Sequence, residues 1–207
     1  VVSVVGVVVG VVQIKEVAIQ IKEVANIKEL LQTHRAREMD FNHIHLSACW
    51  ILLGRFVRQR PAERHWLQSN SKALELLAQG TIRAAVARDI GARQLANIAY
   101  GAGQAFAMLG QVDARLFAAL AREAEWRMGD FKPRDLANIA WAFARVGQAD
   151  ARLFEALAKE AEQHLGDFNP QVLANTPWAF ATLGQADAQL FAALAREAER
   201  RAVDFNP

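Results

Sequence analysis

The chain has 207 residues, 53% apolar and 22% charged, with a formal net charge of +2 at pH 7. That length admits one or two domains or a short repeat array, and so small a net charge excludes arguing for a nucleic-acid partner from total charge alone. A single cysteine, Cys49, excludes an intrachain disulfide and any multi-cysteine metal site.

Residues 1–12, "VVSVVGVVVGVV", read as a valine-rich low-complexity extension, the alternative being part of a signal or anchor segment. It is shorter than the roughly 18 apolar residues that a membrane-spanning helix requires, so no membrane partner is expected. Residues 13–88 read as divergent or capping helical repeats. "IKEVA" at Ile14 and again at Ile21 places Ile14, Val17, Ile21 and Val24 on one face of an amphipathic helix running to about Leu31. A second helix is predicted from Phe41 or Asn42 through "FNHIHLSACWILLGRF". "VRQRPAERHWLQSN" then reads as a basic connector interrupted by Pro61, and a further helix as Lys72 to Ala87. Abundant alanine, leucine, arginine and glutamate favour helix throughout, with almost no strand.

From Asp89 the chain repeats itself. Asp89-Ile90, Asp130-Phe131, Asp167-Phe168 and Asp204-Phe205 open successive units, 89–129, 130–166, 167–203 and an unfinished 204–207. The first is four residues longer within "YGAGQAF", close to one helical turn, where Gly101 and Gly103 should weaken the helix. Each unit carries its own punctuation. Asn169 suits an N-cap, Pro170 the first helical position and Phe168 a hydrophobic staple. Gly110, Gly147 and Gly184 stand where a helix ends in positive φ, and Asp113, Asp150 and Asp187 cap a second helix three residues later. Leu190, Phe191, Leu194, Ala195 and Ala198 make an apolar stripe on that second helix. Glu123 with Arg127, Glu155 with Lys159 and Glu197 with Arg201 read as solvent-facing pairs. A hairpin of about 37 residues cannot bury its apolar faces alone, so the expected fold is all-α: a right-handed α-solenoid of stacked helix-turn-helix repeats. Pro177 inside a first helix should cost about 3 kcal/mol or force a kink. The unfinished last unit leads us to expect a longer protein with more repeats.

The first helix of each unit has a core side, Leu136, Ile139, Phe143 and Val146 in the unit opening at Asp130. At about 100° per residue, Arg134, Asn138, Trp141 and Arg145 share an arc of about 60° on the opposite side. Gln171, Asn175, Trp178 and Thr182 hold the same places in the next unit, and Arg93, Asn97, Tyr100 and Gln104 in the previous one. Bases stack on aromatic rings or guanidinium planes, amides bond base edges, and arginines take phosphates, so this strip suits single-stranded RNA. A repeated asparagine equally serves to bond a neighbouring repeat's backbone, and a repeated tryptophan to fill the seam between hairpins. The basic run Arg55, Arg58, Arg60, Arg64 and His65, beside Trp66, is either a phosphate grip or a solvated connector. His43 and His45 face different ways on a helix, so no metal is expected there. Cys49 falls in an apolar run and is expected in the core. No catalytic motif, phosphate loop or cofactor fingerprint is present, and catalysis is not expected.

"DFNPQVLANTPWAFATLG" and "FNHIHLSACWILLGRF" resemble the octotricopeptide-repeat and RAP-domain, FAST-kinase-like proteins of algae, apicomplexans and other protists. "LAN-x-x-W-A-F-A-x-x-G" is the phrase that carries the resemblance, which covers about residues 25–207. It implies paired helices that bind organellar RNA and support its stability, processing or translation in a mitochondrion or chloroplast. In the unit opening at Phe41 the strip positions become Ile44, Ala48, Ile51 and Arg55, which suggests a capping repeat. The expected function is RNA binding without chemistry of its own; the alternative is a scaffold for protein partners, since paired-helix repeats serve both.

Overall fold

Helix-forming composition and recurrent capping residues leave the chain one regular option, and the described residues contain helices and no strand. The computed structural model describes residues 15–70 and 72–201. The valine-rich start, Ile14 and the final "DFNP" lie outside them.

Helix α1 runs through residues 15–23, with Val17 and Ile21 buried. It does not continue to Leu31. The Asn26 side chain accepts the Glu29 N–H at 2.9 Å and the Glu29 carboxylate takes the Ala25 N–H at 2.8 Å, so an asparagine N-cap starts α2, Ile27–Ala36, instead. Helix α3, His43–Gln59, is capped by Asn42. The expected connector is itself a helix, α4, Pro61–Ser69, because proline at the first helical position needs no N–H partner and has a helical φ already. Helix α5, Glu75–Val86, begins one turn later than expected.

The repeated units follow. They contain α6 (Ala92–Leu109) and α7 (Ala114–Trp126), α8 (Pro133–Arg145) and α9 (Ala151–Gln163), then α10 (Pro170–Thr182) and α11 (Ala188–Arg200). Gly110, Gly147 and Gly184 have φ of 66°, 68° and 65°. The N–H after each bonds back to Phe106, Phe143 or Phe180, closing the helix in the Schellman manner. Asp113, Asp150 and Asp187 each accept N–H groups from the first turn of the following helix. Helix α10 runs unbroken through Pro177.

Helices α3, α6, α8 and α10 pack side by side in that order, and α5, α7, α9 and α11 form a second row behind them. Phe106, Phe117 and Phe143 interlock edge-to-face between the rows, as do Phe154 and Phe180. Trp50 is fully buried and its indole N–H donates to Thr81 at 2.9 Å, which satisfies the one polar atom it brings into the core. Gly101 and Gly103 also have a packing role. A Cβ on Gly101 would sit 2.4 Å from the Trp50 backbone and one on Gly103 2.8 Å from Ala142 Cα, so the two glycines let α6 approach α3 and α8 closely.

Two of the three expected charged pairs form but are buried rather than solvent-facing, and the third is replaced by a neighbouring pair. Glu123 is buried and Arg127 nearly so; the pair meets at 2.5 Å, and Arg127 also donates to the Arg88 carbonyl at 2.7 Å. Glu197 and Arg201 meet at 2.5 Å, both largely buried, and Arg201 bonds the carbonyls of Phe168 and Gly166. The equivalent in α9 is Glu160 with His164 at 3.1 Å, not Glu155 with Lys159, both of which are exposed. Arg127 and Arg201 thereby tie the end of a second-row helix to the linker before its unit rather than facing solvent, whereas His164, between Glu160 and Asp167, is half-exposed. The apolar stripe on α11 is also only partly covered. Leu190 and Leu194 are buried, while Ala195 is exposed, although its counterpart Ala158 in α9 is buried.

Candidate nucleic-acid interface

The first-row helices present one side to the core and the other to solvent, because residues three and four apart share one face of a helix and that face packs inward. In α8 the core side carries Leu136, Ile139 and Phe143, all buried. The outer side carries Arg134 and Arg145, both exposed, with Asn138 and Trp141 half-buried between them. In α6 Arg93 is exposed and Asn97, Tyr100 and Gln104 are half-buried. In α10 Gln171 and Thr182 are exposed, Asn175 is half-buried and Trp178 is 43% exposed.

Side-by-side packing of α6 and α8 brings Tyr100 and Trp141 together, with ring centroids 4.8 Å apart and planes inclined by 31°. Arg145 lies over the Trp141 ring, 5.6 Å from its centroid. Trp141 therefore does two things: one part packs on the core and fills the seam, and the rest extends the aromatic surface outward. Trp178 is more open. Thr182 turns its hydroxyl inward, donating to the Trp178 carbonyl at 2.7 Å.

The three asparagines separate the two roles that their repetition allows. Among the described residues, the side chains of Asn97, Asn138 and Asn175 have no hydrogen-bond partner within the chain, so none of them bonds a neighbouring repeat's backbone. Each keeps two donors and an acceptor available. Charge is also divided between the rows. Helices α3, α6, α8 and α10 carry Arg55, Arg58, Arg93, Arg134 and Arg145 against the single carboxylate of Asp135, which accepts the Lys132 N–H at 3.2 Å. The second row has seven Lys and Arg against eight Glu in α5, α7, α9 and α11.

The basic run at the end of α3 is not one patch. Arg58 is exposed and Arg64 half-buried, but Arg60 bonds the Ala25 carbonyl and lies 4.4 Å over the Phe56 ring, so it holds the α1–α2 turn. His45 is buried and its Nδ1 accepts the Asn42 N–H at 3.3 Å, which makes it part of the α3 cap. Cys49 is fully buried, and burial pushes its thiol up to about 12. Among the described residues no three His, Cys, Asp or Glu side chains gather as a metal cluster, and no helix is long and apolar enough to cross a membrane.

One exposed aromatic was not anticipated. Trp126, at the end of α7, is 54% exposed with the guanidinium groups of Arg88 and Arg127 at 4.3 and 4.9 Å from its ring centroid. The neighbours Trp126 and Arg127 were visible in "EWRMGD", but Arg88 arrives from the preceding unit only through folding.

No protein-family model matches the chain, and no curated protein matches it.

Proposed function

We propose that the protein binds single-stranded RNA along the outer side of its first-row helices. The observation that carries this reading is the row of amides without partners, Asn97, Asn138 and Asn175, flanked by the stacked Tyr100 and Trp141, the open Trp178 and the guanidinium groups of Arg93, Arg134 and Arg145. Base edges bond to amides, bases stack on the aromatic platform and phosphates pair with the arginines. The five-to-one excess of cations over carboxylates in this row, against a balanced second row, favours a polyanion over an uncharged protein partner.

In this reading the hairpins form a right-handed solenoid with a unit of about 37 residues, each unit engaging about one base. The protein acts by holding RNA, with no chemistry of its own. By its resemblance to octotricopeptide-repeat proteins, that role is the stability, processing or translation of transcripts in a mitochondrion or chloroplast.

A fluorescence-anisotropy titration with a mixed-sequence single-stranded RNA at two salt concentrations tests the reading. Affinity should fall as salt rises, and the double variant Arg134→Ala with Trp141→Ala should bind at least about tenfold more weakly, since stacking alone is worth about 1–3 kcal/mol per base. Equal affinity of variant and wild type would remove the strip from the interface. Absence of any salt-sensitive binding would remove RNA and leave the protein scaffold.

A further inference from the structure

We propose that the open cavity between α2, α4 and α5 is a binding site for a small amphiphilic anion, a flat apolar body carrying one sulfonate, carboxylate or phosphate. The cavity holds about 310 Å³, at the lower end of the range for small-molecule sites. Its floor is apolar, formed by leucines of α2 and α5 with Ala73, and its wall is the half-buried indole of Trp66 from α4. Three cations line the cavity. Lys28 comes from α2, with its ammonium 5.2 Å from the Trp66 ring centroid, Arg35 from the last turn of the same helix, and Lys72 from the turn before α5.

No carboxylate lines the cavity, and among the described residues none of the three cations has an ion-pair partner. The nearby acids are engaged elsewhere. Glu29 takes the Ala25 N–H and the Asn26 amide, Glu63 takes the Ile27 N–H, and Glu38 pairs with Arg83. His34 also lines the cavity, 2% exposed and packed edge-on against Phe41 at 4.8 Å. Burial lowers its pKa and so keeps the imidazole neutral at pH 7. Convergent cations above an apolar floor raise the local concentration of anions. The floor offers nothing to a hydrated inorganic ion, whose desolvation would go uncompensated, and accepts a ring or chain. The combination selects an anion with an apolar body.

The probes are 1-anilinonaphthalene-8-sulfonate and its neutral relative N-phenyl-1-naphthylamine, followed by fluorescence with the 207-residue chain. The triple variant Lys28→Gln, Arg35→Gln, Lys72→Gln should bind the sulfonate about tenfold more weakly or worse and the neutral probe unchanged. Ala73→Phe, which fills the floor, should weaken both. Circular dichroism on each variant establishes that it is folded, and the exposed triple variant carries the test should Ala73→Phe unfold. Sulfonate binding undiminished in the triple variant overturns the proposal, because the probe then sits on another apolar surface. Equal loss of both probes in the triple variant overturns the anion selectivity.

Discussion

Gly101 and Gly110 serve opposite purposes with the same side chain. Gly110 ends a helix at φ 66° with open space around it, so Gly110→Ala should cost about 1 kcal/mol through backbone strain alone. Gly101 has an ordinary helical backbone but abuts Trp50, and Gly101→Ala must push two helices apart, at about 3 kcal/mol or more. Urea unfolding of the two variants checks the order. The spacing of the repeat made Gly110 legible; the need for Gly101 lies in a helix distant along the chain, which no local pattern reports. His34 gives a pH signature. Burial first, with Arg83 adding to it and Glu38 opposing it, sets its folded pKa below the ordinary 6.5. The unfolded chain therefore binds the proton more readily, so stability is present above about pH 6.5 and declines as pH falls below it. Replacing His34 by glutamine should flatten that decline in a plot of thermal midpoint against pH. Strongly raised and buried, the Cys49 thiol should not react with Ellman's reagent until the chain unfolds.

At the level of elements, the joints between units rest on buried ion pairs rather than surface ones. Arg127→Ala leaves the Glu123 carboxylate buried without its guanidinium and also frees the Arg88 carbonyl, so it should cost about 3 kcal/mol. Lys159→Ala, on an exposed helix face, should change stability by less than about 0.5 kcal/mol. Chemical denaturation of both variants compares them directly. The spacing of four residues made both pairs look alike in sequence. They differ because the carboxylates of Glu123, Glu160 and Glu197 sit at the end of the second-row helix, beside the linker of the unit before. The asparagine cap that splits α1 from α2 was, by contrast, written locally as Asn26 followed three residues later by Glu29; the heptad spacing of "IKEVA" pointed to a continuous helix and the cap prevailed.

Across the whole molecule, units touch mainly their neighbours, so protection against unfolding should vary along the chain. Among the described residues the outer face of α10 and α11 has no hairpin over it: Ala174, Ala181 and Ala195 are exposed, whereas Ala137, Ala144 and Ala158 are buried. Amide hydrogen exchange should therefore be fastest in α10 and α11 and slowest where α6 lies against α3 and α8. Uniform exchange rates along the rows would show a single cooperative unit instead. What the sequence determined alone was the local grammar. The caps at Asp113, Asp150 and Asp187, the left-handed glycines, the all-helical class and the outer strip on each first helix all depend on contacts within a few residues or on helical periodicity. Tertiary structure decided which side chains on that strip are spent on packing: it set Tyr100 against Trp141, left Trp178 open and left the three asparagine amides without partners. It also assembled the cationic cavity from three helices. Those outcomes depend on the distance between helices that are far apart in the chain, a quantity fixed by the summed packing of Gly101, Gly103 and Trp50 and by no single segment.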